Sequence, residues 1–135
     1  MENPSAFPMG EPNDGFAQYF VGQSYLASVL DTPEFSIHNV TFEPGCRNNW
    51  HIHHGGAQVL IAVGGRGYYQ IEGQEPKELK AGEAGCIPAD TKHWHGAAPG
   101  ESFSHLAFMV PAGDPDTMSN EWLEPVDAQA YESLA

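Results

Sequence analysis

The chain has 135 residues, a formal net charge of −13, 15 glycines and 11 prolines. That length gives one domain with a real core, and no apolar run approaches the roughly 18 residues of a membrane span. All five basic residues fall between Arg47 and Lys92, with six acids and no base on each flank (1–46 and 111–135), which argues against a phosphate-backbone partner. The opening Met1-Glu-Asn-Pro-Ser lacks a basic region and an apolar core, so no secretory signal is read and a cytoplasmic location is expected, with Cys46 and Cys86 as reduced thiols.

Residues 1–15, rich in Pro, Asn and Gly, predict a loose N-terminal arm, and residues 16–135 a single domain. Phe16 to Phe20 predicts a short strand or edge piece. A β pattern begins over Phe35 to Phe42 and turns at Glu43-Pro-Gly45. Gln58 to Val63 is a continuous apolar strand stopped by Gly64-Gly65, with Tyr68 to Glu72 as its hairpin partner. Shorter strands are expected at Lys77 to Lys80, Ala84 to Pro88 and His93 to Ala97, and a longer one at Phe103 to Val110. Beyond Pro111, Ser119 or Asn120 predicts a cap for a helical turn at Glu121-Trp-Leu, and Asp127 a cap for a helix through Ala128–Leu134. Short strands with turn signals between them mean an all-β sandwich or barrel carrying a short helical C-terminal tail.

The chemistry concentrates in two stretches. In an extended strand, residues two apart share a face, so His51 and His53 can close on one point, and Gln58 can return to it past Gly55-Gly56. His93, in Asp90-Thr-Lys-His-Trp-His95, supplies a third imidazole. Three imidazoles and an amide oxygen suit one divalent transition metal with open positions; manganese, iron, nickel, cobalt and zinc all fit such a set. Four neutral ligands leave the charge of the ion uncompensated, which favours an anionic, hydroxyl-bearing or carbonyl-bearing small molecule at the open position. On strand parity, His95 shares a face with His93, His105 with Met109, and His38 with Val40, so His105, His95 and His38 are candidate proton-transfer groups inside the barrel. His54 is expected to face solvent or an interface, and Trp50 and Trp94, on the opposite parity, core or dimer contacts.

Written as spacings, the motifs are Gly45-x5-His51-x-His53-x4-Gln58-x6-Gly65 and Gly82-x5-Pro88-x-Asp90-x2-His93-x3-Ala97, with 16 residues between them. They resemble the two signatures of the cupin superfamily, motif 1 at 45–65 and motif 2 at 82–97, with Gln58 where glutamate is commonest, Ala97 where asparagine is, and Asp90 in place of a turn glycine. The resemblance covers roughly residues 35–110 and implies a double-stranded β-helix, the cupin jelly-roll barrel. Phe42-Glu-Pro-Gly45, Lys92-His-Trp-His-Gly-Ala97-Ala-Pro99, Ser104-His-Leu-Ala107 and Glu121-Trp-Leu-Glu-Pro-Val126 are similar to the small single-domain cupins that include manganese-dependent bacterial hydroxynitrile lyases. That likeness implies manganese first among the metals, a homodimer, and a histidine matching His105 beside metal-bound substrate. One extra residue between His53 and Gln58 instead resembles the pectin-degradation cupin that linearises unsaturated uronates. The expectation is a Lewis-acid lyase or isomerase for a small oxygenated substrate; the alternatives are a quercetinase-like metal-dependent dioxygenase and a non-enzymatic ligand-binding cupin.

Overall fold

The computed structural model describes residues 1–134. In chain order the strands are β1 (Glu11–Pro12), β2 (Phe20–Val21), β3 (Ser24–Asp31), β4 (Ser36–Phe42), β5 (Arg47–Asn48), β6 (His51–His54), β7 (Gly56–Ile71), β8 (Lys77–Lys80), β9 (Ala84–Ile87), β10 (His93–Ala97), β11 (Phe103–Pro111) and β12 (Ser119–Trp122), followed by helix α1 (Ala128–Glu132). One sheet runs β1-β3-β4-β11-β7-β9; the other gathers β12, β6, β10, β5 and β2 with β8 and the far half of β7. Two curled antiparallel sheets sharing one long strand make the expected jelly roll. No described helix is long and apolar enough to cross a membrane.

The long strand corrects a sequence expectation. Gly64-Gly65 does not end β7 but bends it, so the chain leaves the first sheet and enters the second without breaking its ladder. Gly65 takes φ +69°, and a Cβ there would lie 1.9 Å from the Ser102 carbonyl oxygen, so only glycine makes the turn. A bulge between Ser104 and His105 sits beside the bend and turns the strands further.

The helical turn expected at 121–123 is also overturned. Glu121 and Trp122 belong to β12, which pairs with the edge strand β6 in the register Asn120↔His53 and Trp122↔His51, and Leu123 follows its end. An unpaired strand edge is a stronger claim on the backbone than a side-chain cap. The expected C-terminal helix does form, with Asp127 Oδ2 accepting from the Ala130 amide at 3.0 Å.

Inside the barrel the core is Phe42, Leu60, Ala62, Ile87, Ala97 and Phe103 with Tyr69 and Leu79. A second cluster, Tyr68, Trp94, Ala98, Val126 and Tyr131, lies beneath α1, and the Tyr131 hydroxyl donates to the Ala97 carbonyl. Trp94 and Trp50 therefore serve this outer core. On the other face, Asn39, Thr41 and Ser104 are fully buried although polar, because residues of the N-terminal arm lie across them. Asn39 Nδ2 donates to the Pro8 carbonyl at 2.9 Å and its Oδ1 accepts from Ser104 Oγ at 2.8 Å, so the face is satisfied by hydrogen bonds. Asp14–Tyr19 forms a 3₁₀ helix leading into β2. Cys46 and Cys86 are free thiols.

Candidate metal centre

Two strands deliver the imidazoles and a third the amide. β6 places His51 and His53 on its inner face, and β10 places His93 opposite His51 in the ladder. Gly55 alone, at φ +82°, separates β6 from β7 and brings Gln58 back to the same point. Ring centroids are 5.0 Å apart for His51 and His53, 4.2 Å for His51 and His93, and 5.2 Å for His53 and His93. One nitrogen from each ring lies within 4.8 Å of the other two. Gln58 Oε1 is 3.2 Å from Nε2 of both His53 and His93. All four sequence candidates thus meet at one place.

The proton positions follow from the partners. Nδ1 of His51 faces the Asn49 carbonyl at 2.8 Å, and Nδ1 of His93 faces the Thr91 carbonyl at 2.9 Å. A carbonyl only accepts, so each Nδ1 carries the hydrogen and each Nε2 keeps its lone pair. His53 Nδ1 is held the same way by Asn120 Oδ1 at 2.7 Å. With the Gln58 oxygen turned inward, lone pairs face one another at 3.2 Å with no proton to share. A cation satisfies that arrangement, and the outer hydrogen bonds are those that orient imidazole ligands. The donor set fits a divalent metal.

Burial keeps these rings neutral. It holds His51 well below its ordinary value, lowers His53, and brings His93 down to about 4. At neutral pH they meet a metal without first losing a proton. Asp90, whose φ of +63° makes it the only non-glycine residue with positive φ among the described residues, ties the motif 2 turn to the Gly55 turn by accepting from the Gly55 amide at 3.1 Å.

The other candidate imidazoles separate by depth. His95 is buried beside Asn48, whose Nδ2 lies 3.2 Å from His95 Nε2, and its Nδ1 is 3.2 Å from His105 Nε2. His105 Nδ1 faces the Leu106 carbonyl at 3.2 Å; the ring lies between Phe42 and Phe103, fully buried, and lines neither cavity beside the ligands. Burial lowers His95 far below its ordinary value and His105 to about 4. His38 stands apart from that pair, on the cavity wall. His54 points outward to Glu121 at 2.7 Å.

Two cavities flank the ligands. The first, about 380 Å³, is walled by Phe16, Phe20, Leu26, Val40 and Trp122, with Asn48 and His95 at the polar end. The second, about 470 Å³, lies under the β3–β4 hairpin tip, with Phe35, Phe108, Met109 and Met118 on its wall. His38, His53, Gln58, Ala107 and Asn120 line both. No Asp, Glu, Lys or Arg lines the first cavity, and Glu34 is the one such residue in the second. Sequence reasoning missed Asn120, Asn48 and Trp122. The Trp122 ring lies 4.7 Å from that of His51 and stacks on Tyr19 at 4.5 Å. Ser119-Asn-Glu-Trp122 has no apolar–polar alternation and opens with capping residues, so the sequence carried no strand signal there.

Residues 38–111 match the model of the cupin domain family. The chain is 35% identical over 120 residues to an (R)-mandelonitrile lyase from Granulicella tundricola, covering 87% of this chain and 88% of the relative. Among solved structures, a cupin-like protein from Thermotoga maritima MSB8 superposes with a TM-score of 0.84 at 30% identity over 97% of each chain. A DMSP lyase from Ruegeria pomeroyi DSS-3 shares the fold at a TM-score of 0.63 and 17% identity, over 90% of this chain and 57% of that one.

Proposed function

The chain belongs to the cupin domain family, and from that premise we propose that it is a metal-dependent lyase that cleaves small cyanohydrins to an aldehyde and hydrogen cyanide. The observation that carries the reading is the convergence of three Nε2 lone pairs and the Gln58 amide oxygen beside a cavity with one apolar wall, Phe16, Phe20, Leu26, Val40 and Trp122, and no Asp, Glu, Lys or Arg. The 35% identity to a mandelonitrile lyase supports the substrate class.

A divalent ion held by His51, His53, His93 and Gln58, manganese first, would supply Lewis-acid polarisation of a hydroxyl or carbonyl oxygen. The chain contributes the rest. Phe16, Phe20, Leu26, Val40 and Trp122 offer an aryl or branched alkyl group a dry wall, which orients the reacting carbon toward the ligand edge. His95 and His105 are kept neutral by burial and bonded to each other, so they bring no charge to the site. No acidic side chain lines the first cavity, so the charge of a bound divalent ion would stand uncompensated there, suited to an alkoxide or cyanide. A homodimer is part of the same proposal.

The test is cleavage of racemic mandelonitrile by protein purified without chelator, beside the His51→Ala/His53→Ala double variant and with elemental analysis of both. Benzaldehyde and cyanide released with a preference for one enantiomer, and lost together with the metal, is the expected result. Equal turnover by the metal-free variant would sink the metal role. Oxygen uptake without cyanide release would move the chain to the dioxygenases.

A further inference from the structure

Of the three imidazoles outside the ligand set, two have no nitrogen to offer a substrate. His105 has Nδ1 on the Leu106 carbonyl and Nε2 on His95, and lines neither cavity. His95 has one nitrogen on His105 and the other against Asn48. His38 differs on each count. Among the described residues neither of its nitrogens has a hydrogen-bond partner, the side chain is only half-buried, and it lines both cavities.

Its place in the sheet sets what it faces. In the β4–β11–β7 ladder His38 is level with Ala107, and Gln58 is level with Met109, two residues along β11. Ala107, the smallest residue in that part of the wall, stands between His38 and the ligand oxygen and lines both cavities. A single methyl group leaves space for a substrate atom there. A half-buried imidazole that lines both cavities, with neither nitrogen engaged by the protein, is open to a small molecule bound there.

We propose that His38 is the proton carrier of the cleavage reaction, a proposal that rests on the lyase reading above. A neutral His38 nitrogen takes the proton from the cyanohydrin hydroxyl. The O–H electron pair becomes the second bond of the aldehyde carbonyl as the C–C bond breaks, and its electrons leave on cyanide. The imidazolium then returns the proton to cyanide, giving hydrogen cyanide and restoring the neutral ring. One group does both transfers, so protons balance within a single turnover. The first cavity keeps the organic group and the second, beyond His38, gives the small product a way out.

The experiment compares the metal-loaded parent with His38→Ala and His38→Gln on mandelonitrile, reading kcat, KM, metal content, melting temperature and rescue by added imidazole. A proton carrier contributes on the order of 100-fold or more to turnover. The expected result is a fall in kcat of that size in both variants, with metal content and melting temperature unchanged, and partial recovery of His38→Ala, but not His38→Gln, with imidazole. An active parent whose His38 variants keep full kcat overturns the proposal and leaves the lyase reading standing. A rise in KM with kcat unchanged in both variants makes His38 a binding group and overturns the carrier role. A parent inert toward cyanohydrins overturns the lyase reading and the proposal with it.

Discussion

Asn120 Oδ1 lies 2.7 Å from Nδ1 of His53, so a residue outside the matched cupin segment fixes the proton and the rotation of a candidate ligand imidazole. Such outer partners change metal affinity by about 10- to 100-fold when removed. Asn120→Ala is expected to weaken metal binding within that range, read by titration against a chromogenic chelator. Asn120→Asp should restore or exceed the parent affinity, because a carboxylate accepts the same hydrogen and makes the ring a better donor. Equal affinities across the three proteins would show that β12 alone positions His53.

The buried histidines predict how the metal-free protein responds to acid. Burial first of all brings His93 and His105 down to about 4 in the fold and holds His51 and His95 well below their ordinary value, against 6.5 for an unperturbed ring. Between those values the unfolded chain binds more protons than the folded one, so stability rises with pH there. It is fully present above about pH 7 and is lost as pH falls through 6.5 toward 4, with a slope approaching about 1.4 kcal/mol per pH unit for each ring. Urea unfolding of chelator-treated protein in steps from pH 8 to 4 checks this; a flat profile across that range would refute it.

Asp90 holds a left-handed backbone at φ +63° and bonds the Gly55 amide at 3.1 Å. Left-handed geometry costs a residue with a Cβ about 1–2 kcal/mol, less for Asp than for Ala because its side chain bonds locally. Asp90→Ala should therefore destabilise by roughly 1–2 kcal/mol, and Asp90→Gly by less, since glycine loses the bond but escapes the backbone cost. Denaturant midpoints at constant m-value measure both. An alanine variant as stable as the parent would mean that the turn rearranges.

The histidine cluster was legible because strand parity is local: two residues apart on β6 means one face, whatever the rest of the chain does. The barrel was legible for the same reason, from its turn glycines and its alternation. What failed were matters of distance. Whether Gly64-Gly65 ends a strand or bends it depends on β11 and β10 accepting the two halves of β7, which lie far along the chain. Whether Ser119-Asn-Glu-Trp122 is helix or strand depends on an open edge at β6. Parity placed His105, His95 and His38 all inward, and they are; it carries nothing about which nitrogen is already engaged, which only the packed structure decides.

The 16-residue strand β7 joins both sheets and carries Gln58 near its start, whereas His51 and His53 sit on the four-residue β6, held by β12 and by a single bridge to β10. The donor atoms are thus split between a slow part of the molecule and a fast one. Backbone amides of β7 should exchange with solvent only on global unfolding, while β6 and β12 open together at a fraction of that free energy. An ion spanning them would act as a clasp: its off-rate would follow fraying of the C-terminal strand as much as ligand chemistry, and loading it would slow that fraying.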